Sequence, residues 1–260
     1  MRLLIDLSRR FRHEWDRTTR NAMLIALVFA GILVILLFTG DDNLKTVSCI
    51  GIFGVLIVMQ VIAMWGNRGM IEPLAKAQQA FLNDQYEKSL HILESEADHE
   101  SAVVQLLMAS NFRQLGQFEA SADLLAGLIE KDPQNDRAYY ARGKLALVQG
   151  LYEAAITDFQ RALKLGAPHF VQFDLGFTYY ALGNIERAIK VLNAARPYVE
   201  AEAPFLLYVE YIECLLDPER YLSQTLKEDG IAYWEEEARR FPATPYGQQL
   251  FEDINVINQR

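Results

Sequence analysis

Cysteine, histidine and, over two long stretches, charge are in short supply, and each shortage narrows what the chain can do. Two cysteines in 260 residues, Cys49 in an apolar run and Cys214 in a helical pattern, make neither a disulfide framework nor a CxxC metal motif. The four histidines, His13, His91, His99 and His169, lie far apart without a common ligand spacing. No glycine-rich phosphate loop, G-x-S-x-G elbow or HExxH helix occurs. The acidic runs Glu235-Glu236-Glu237 and Glu94, Glu96, Asp98, Glu100 lack the glycine turn of an EF-hand loop and read as solvated helix faces. The expectation is a protein that is not an enzyme and takes no cofactor, metal or small-molecule substrate.

Charge is missing from Asn21 to Gly40, twenty residues, and from Thr46 to Asn67, twenty-two residues. Each run is long enough to cross a bilayer core as a helix, which satisfies its own backbone hydrogen bonds in lipid. Asp41-Asp42-Asn43-Leu44-Lys45 between them is short and polar, so residues 21–67 are expected to form a transmembrane helical hairpin. A cleaved signal peptide would account for the first run but not for a second complete span five residues later. Arg2, Arg9, Arg10, Arg12, Arg17 and Arg20 precede the first span, which places the amino terminus, and after two spans the rest of the chain, on the cytoplasmic side. Within residues 1–20, Leu4, Leu7, Phe11 and Trp15 recur at helical spacing among arginines. That pattern suits a basic amphipathic interfacial helix with Arg9, Arg10, Phe11 and Trp15 at the membrane surface, or an edge packed on a partner subunit. Ala22, Ala26, Ala30, Gly51 and Gly54 offer small-residue faces for transmembrane packing.

Residues 1–70 carry eight Lys and Arg against five Asp and Glu, leaving seventeen against twenty-nine, net −12, for the remainder. That acidity disfavours nucleic acid, which needs a positive stripe to displace counterions.

Beyond Pro73, short amphipathic helices are punctuated at a regular interval. Gly116 in RQLGQFEAS, Gly150 in LVQGLYEAA and Gly183 in YALGNIERA are separated by 34 and 33 residues. Around Gly150 stand Tyr139, Gly143, Tyr152, Ala155, Phe159, Ala162 and Pro168. The preceding unit has Ala109, Phe112, Phe118, Leu125 and Pro133, with Ser121 where an alanine is usual; the following one has Leu175, Gly176, Tyr179, Ile185, Ala188, Leu192 and Ala195. These offsets resemble the tetratricopeptide repeat family. The resemblance implies an all-α protein in which a TPR-like helical-hairpin superhelix over 70–260 follows two transmembrane helices. Its clearest repeats are 102–135, 136–168 and 169–200, with degenerate units at 73–100 and 203–240 and a terminal helix at 246–258. The tail from Asp217 is placed to shield the open end of the stack.

In that family the first helices of successive units line a concave groove at positions two, five, nine and twelve. Here these include Arg137, Tyr140 and Lys144, then Phe170, Phe173, Phe177 and Tyr180. The Lys, Asn and Arg set with which some members clamp chaperone tails is absent. An aromatic inner face suits an apolar helix or extended peptide of a protein partner; the same stripe would also pack against neighbouring units or the chain's own carboxy-terminal helix. The expected function is a membrane-anchored protein–protein interaction scaffold or adaptor, in contact with the lipid bilayer and a membrane-associated partner, that assists assembly of a membrane protein complex. The alternative is a permanent structural subunit of such a complex.

Overall fold

A computed structural model describes residues 17–66, 68–217 and 219–260. Among them are thirteen helices and no strand. The chain divides into two compact units, Met1–Lys76 and Ala77–Arg260. Arg9, Arg10, Phe11 and Trp15 lie outside the described residues.

In the first unit, α1 (Arg17–Thr39) and α2 (Asp42–Gly66) pack along their length. Asp41 starts α2 by accepting the Leu44 N–H at 2.9 Å, satisfying one of the free donors of the first turn. Met23, Ala26 and Ser48 are buried in the seam, with Ala22 and Ala30 half-buried beside them. At Gly51 an added Cβ would come 3.1 Å from Leu33, so this glycine permits the close approach. Gly54 is exposed, has nothing within 4 Å of such a Cβ, and takes no part in the seam. Both helices are long and apolar enough to cross a membrane, with mean hydropathies of 2.9 over Asn21–Thr39 and 2.0 over Asp42–Ile62. Only 11% and 6% of these stretches are buried, unlike the core helices of a soluble protein. Phe29, Ile35, Phe38, Ile50 and Phe53 all face outward.

Helix α3 (Arg68–Leu82) contains Pro73 and leads into the second unit. There follow α4 (Tyr86–Glu96), α5 (Ala102–Gln114), α6 (Phe118–Lys131), α7 (Asp136–Val148), α8 (Tyr152–Lys164), α9 (Val171–Ala181), α10 (Ile185–Val199), α11 (Ala203–Cys214), α12 (Gln224–Arg240) and α13 (Pro245–Gln259). From α5 to α10 these pair into hairpins, each helix packing on the next. One turn recurs: Gly116, Gly150 and Gly183 take φ of +73°, +77° and +82°, and the N–H that follows each reaches back 2.8 Å to Phe112, Ala146 and Tyr179. This left-handed cap consumes helix-end carbonyls and reverses the chain. Asp84, with φ +56°, occupies the same place between α3 and α4, and Gln85 N–H bonds Ala80 O at 2.9 Å.

Small residues let the hairpin helices close. A Cβ on Gly143 would stand 2.7 Å from the Phe159 ring, and Phe159, Ala155 and Ala162 are wholly buried. Helix starts are capped at Asn135, whose side chain accepts the Ala138 N–H (3.1 Å), and at Asn184, Ser223 and Thr244. The main core runs from α7 to α13.

Candidate functional site

The first helices α5, α7, α9 and α11 present successive inner faces, and the structure splits the surface they form in two. Arg137, Tyr140, Lys144 and Phe170 border open space. Phe177, Tyr180, Tyr208 and Tyr211 lie beneath α12 and α13.

Two of the seven expected groove residues, Phe177 and Tyr180, lie in the covered half, and Phe173 at its border still lines a cavity of the open half. Phe173 and Phe177 are 3% and 2% exposed. Phe173 packs edge-on against Phe205 at 4.9 Å, and Phe177 lies between Trp234, Tyr208 and Tyr246. The Tyr180 hydroxyl donates to the Asp253 carboxylate of α13, which also accepts Tyr208 (3.0 Å), Tyr211 (3.1 Å) and the Gln249 amide (3.0 Å). The aromatic stripe is real, but the chain's own last two helices fill its deeper part. Apolar rings here exclude water, and one acceptor answers three hydroxyls that would otherwise be buried unbonded. Burial holds the Asp253 carboxyl above the usual carboxylate range, against the hydrogen bonds that favour its charged form. Burial first, then the Asp253 charge, raises the Tyr208 and Tyr180 hydroxyls, and pushes Tyr211 up to about 12.

The open half contains Arg137, Tyr140, Lys144 and Phe170. Two cavities meet there, sharing Tyr140, Lys144 and Phe170 in their walls. The first, about 440 Å³, lies over α5 and α7: Phe81, Val103, Leu106 and Leu107 make its apolar wall, and Arg113, Arg137 and Asp136 its charged edge. Neither arginine forms an ion pair among the described residues. The second, about 470 Å³, lies over α9 and α11, and Tyr233 of α12 forms part of its wall.

Between the cavities stands a polar bridge. Asp174, 7% exposed, accepts Lys144 Nζ at 2.8 Å and the Tyr140 hydroxyl at 2.9 Å, tying α9 to α7. Burial, followed by the charge and hydrogen bond of Asp174, raises the Tyr140 hydroxyl well above its ordinary value. Lys144, expected as a free groove cation, is thus already neutralised, and the available positive charge belongs to Arg113 and Arg137.

Arg113, Asp174, Glu202, Phe205 and Tyr233 were not among the expected groove residues. Arg113 was within reach of sequence reasoning. Positions two, five, nine and twelve, the first three of which are 137, 140 and 144 in the middle unit, fall at 103, 106, 110 and 113 one unit earlier, and all four line the first cavity. No groove offset points to Tyr233, which arrives from α12, the second helix of the degenerate stretch 203–240. No group of three or more His, Cys, Asp or Glu is placed to hold a metal ion among the described residues.

Residues 106–169 match the tetratricopeptide repeat family. A thermophilic TPR protein of Thermus thermophilus, TTC0263, is similar in structure with a TM-score of 0.53 and 14% identity, covering 73% of this chain and 98% of that one. That likeness shows the fold, a TPR-like superhelix. MamA MSR-1 C2 aligns with a TM-score of 0.44, 17% identity and coverage of 73% and 97%. YrrB, described as a TPR protein with an unusual peptide-binding site, gives 0.43, 17%, and 66% and 91%. No curated protein matches this chain.

Proposed function

We propose that this protein is a membrane-anchored interaction scaffold whose helical-hairpin stack holds an extended segment of a protein partner in the open half of its inner groove. The observation that carries the reading is the pair of adjoining cavities, walled by Tyr140 and Phe170 and bordered by Arg113 and Arg137, whose guanidinium groups form no ion pair among the described residues. Rings supply contact area at small entropic cost, and two arginines in a domain otherwise rich in carboxylates favour an acidic group on the segment at that end. An α-helix with its side chains is about 10–12 Å across, a poor fit for cavities of this size, so the segment is extended.

Two helices whose apolar side chains stay exposed support the anchor. With the arginine-rich stretch before them, the hairpin would leave the repeat domain on the cytoplasmic side. The protein then assembles or organises a membrane protein complex.

The test replaces Phe170, 44% exposed, with a photo-crosslinking phenylalanine analogue in native membranes. The expected result is one crosslinked polypeptide, lost when Arg113 and Arg137 are both changed to Gln in a chain that still melts normally. No polypeptide adduct, or one indifferent to the arginines, overturns the groove reading. Recovery of that partner in fixed stoichiometry with mature complexes would make the protein a permanent subunit instead.

A further inference from the structure

Six aromatic residues, Tyr140, Phe170, Phe173, Tyr198, Phe205 and Tyr233, surround the second cavity. Their rings brace one another: Tyr140 on Phe170 at 5.7 Å, Phe173 on Phe205 at 4.9 Å, and Phe205 on Tyr233 at 5.5 Å. Tyr198 is stacked with His169 at 4.7 Å. The charged groups on the wall are Lys144, Asp174 and Glu202. Lys144 and Asp174 cancel, 2.8 Å apart. Glu202, exposed just ahead of α11, has no ion-pair partner among the described residues, so the wall carries one net negative charge.

A ring face bears negative quadrupole density, and several faces around one space attract an organic cation. A nearby carboxylate adds to that attraction. The net −12 of residues 71–260 draws cationic groups toward this surface at longer range. The first cavity, edged by Arg113, Arg137 and the single carboxylate of Asp136, has the opposite preference.

We propose that the second cavity is a cation-accepting aromatic pocket that takes the lysine or arginine side chain of the partner segment. This rests on the reading of the groove as a partner site and deepens it. With an acidic group drawn to Arg113 and Arg137 at one end and a basic side chain seated among the rings at the other, charge fixes the direction in which the segment lies. Reversing it would place like charges together at both ends.

The test uses small probes on the full chain in phosphatidylglycerol nanodiscs, read by saturation-transfer NMR on the probe. Nα-acetyl-arginine methylamide is compared with its citrulline counterpart, which has nearly the same shape and no charge, and with phosphocholine. Expected is arginine-probe binding about fivefold tighter than the citrulline probe, the scale of a cation–aromatic contact in a partly dry site. It should weaken about threefold in Glu202→Gln, and fivefold or more in Tyr233→Leu, where Tyr233 is 43% exposed and leucine keeps an apolar contact with Phe205 and Trp234. Equal binding of the arginine and citrulline probes overturns the cation pocket and leaves the groove reading standing. Tighter binding of phosphocholine than of arginine overturns the assignment to a partner side chain in favour of a lipid headgroup. Arginine binding unchanged by Tyr233→Leu also overturns the proposal, since the probe then sits elsewhere. Failure of the groove reading itself shows in the Phe170 crosslinking experiment, which does not depend on these probes.

Discussion

Asp253→Ala tests whether α13 is held in the inner groove by one carboxylate. The substitution leaves the hydroxyls of Tyr180, Tyr208 and Tyr211 without their acceptor, in places 8%, 0% and 2% exposed. Each unsatisfied buried hydroxyl costs about 1–3 kcal/mol. Partial re-pairing, with Gln249 within 3.3 Å of the Tyr180 oxygen, and relief from burying a carboxylate bring the net loss to about 3 kcal/mol. For a unit the size of Ala77–Arg260, that is a fall in Tm of about 6–12 °C. Circular dichroism of the full chain in micelles reads the melt, and hydrogen exchange locates the loss. Amides of 245–259 should exchange faster than those of α7 and α8, because α13 is released while the hairpins persist. A melt within about 2 °C of the parent, or faster exchange spread evenly over the unit, would refute the reasoning.

The same carboxyl gives a pH dependence. Its folded-state pKa is raised above the ordinary 3.8, so its contribution is fully favourable below that value and is lost as pH rises through the folded value; Asp253→Asn should flatten this part of the stability–pH curve measured by urea titration. Tyr211 is pushed up to about 12 from 10.0, so stability from its buried hydroxyl, complete below pH 10, should be lost between about pH 10 and 12, seen as phenolate absorbance rising together with loss of helix. Gly143→Ala drives a methyl into the Phe159 ring; overpacking of about 1–3 kcal/mol, offset by about 1 kcal/mol of helix propensity, should still destabilise. Adding Phe159→Leu should recover about 1 kcal/mol of the Gly143→Ala effect in a double-mutant cycle, and simple additivity would show that the two residues do not meet. Asp84→Asn, which removes the charge from the 2.8 Å ion pair to Arg240 while Arg240 keeps Glu237 at 2.6 Å, should change Tm little, within the small worth of a pair whose carboxylate is largely exposed.

The repeats were readable because their signals are local. Gly116, Gly150 and Gly183 are set by the turn each must make, and Gly143 and Phe159 by a contact between adjacent helices, so every determinant lies within one unit. The apolar hairpin was readable from composition alone. Asp84 makes the same turn without glycine, so the unit at 73–100 lacks the glycine that marks the later ones. The groove was only half legible. Residues 170, 173, 177 and 180 share one helical face, and nothing on that face says which end is covered. The answer comes from Asp253, 73 residues beyond Tyr180. A lone acid between Leu250, Ile254 and Ile257 on an otherwise apolar stripe was the one available hint, since a carboxylate there needs donors waiting opposite. Arg113 stands at groove position twelve of the unit before Arg137, so its place on the groove is written in the repeat itself.

The placement of α13 also bears on the order in which the molecule is made. Hairpins of a repeat stack can form one after another as the chain leaves the ribosome, each resting on the one before. Here Phe177, Tyr180 and Tyr208 have nothing to cover them until residues 224–259 have been synthesised, and Asp84 waits still longer in sequence terms for Arg240. Throughout that interval the nascent domain displays a wet aromatic surface, so the last helices act as an internal timer: the groove acquires its final shape only after translation of the domain is complete.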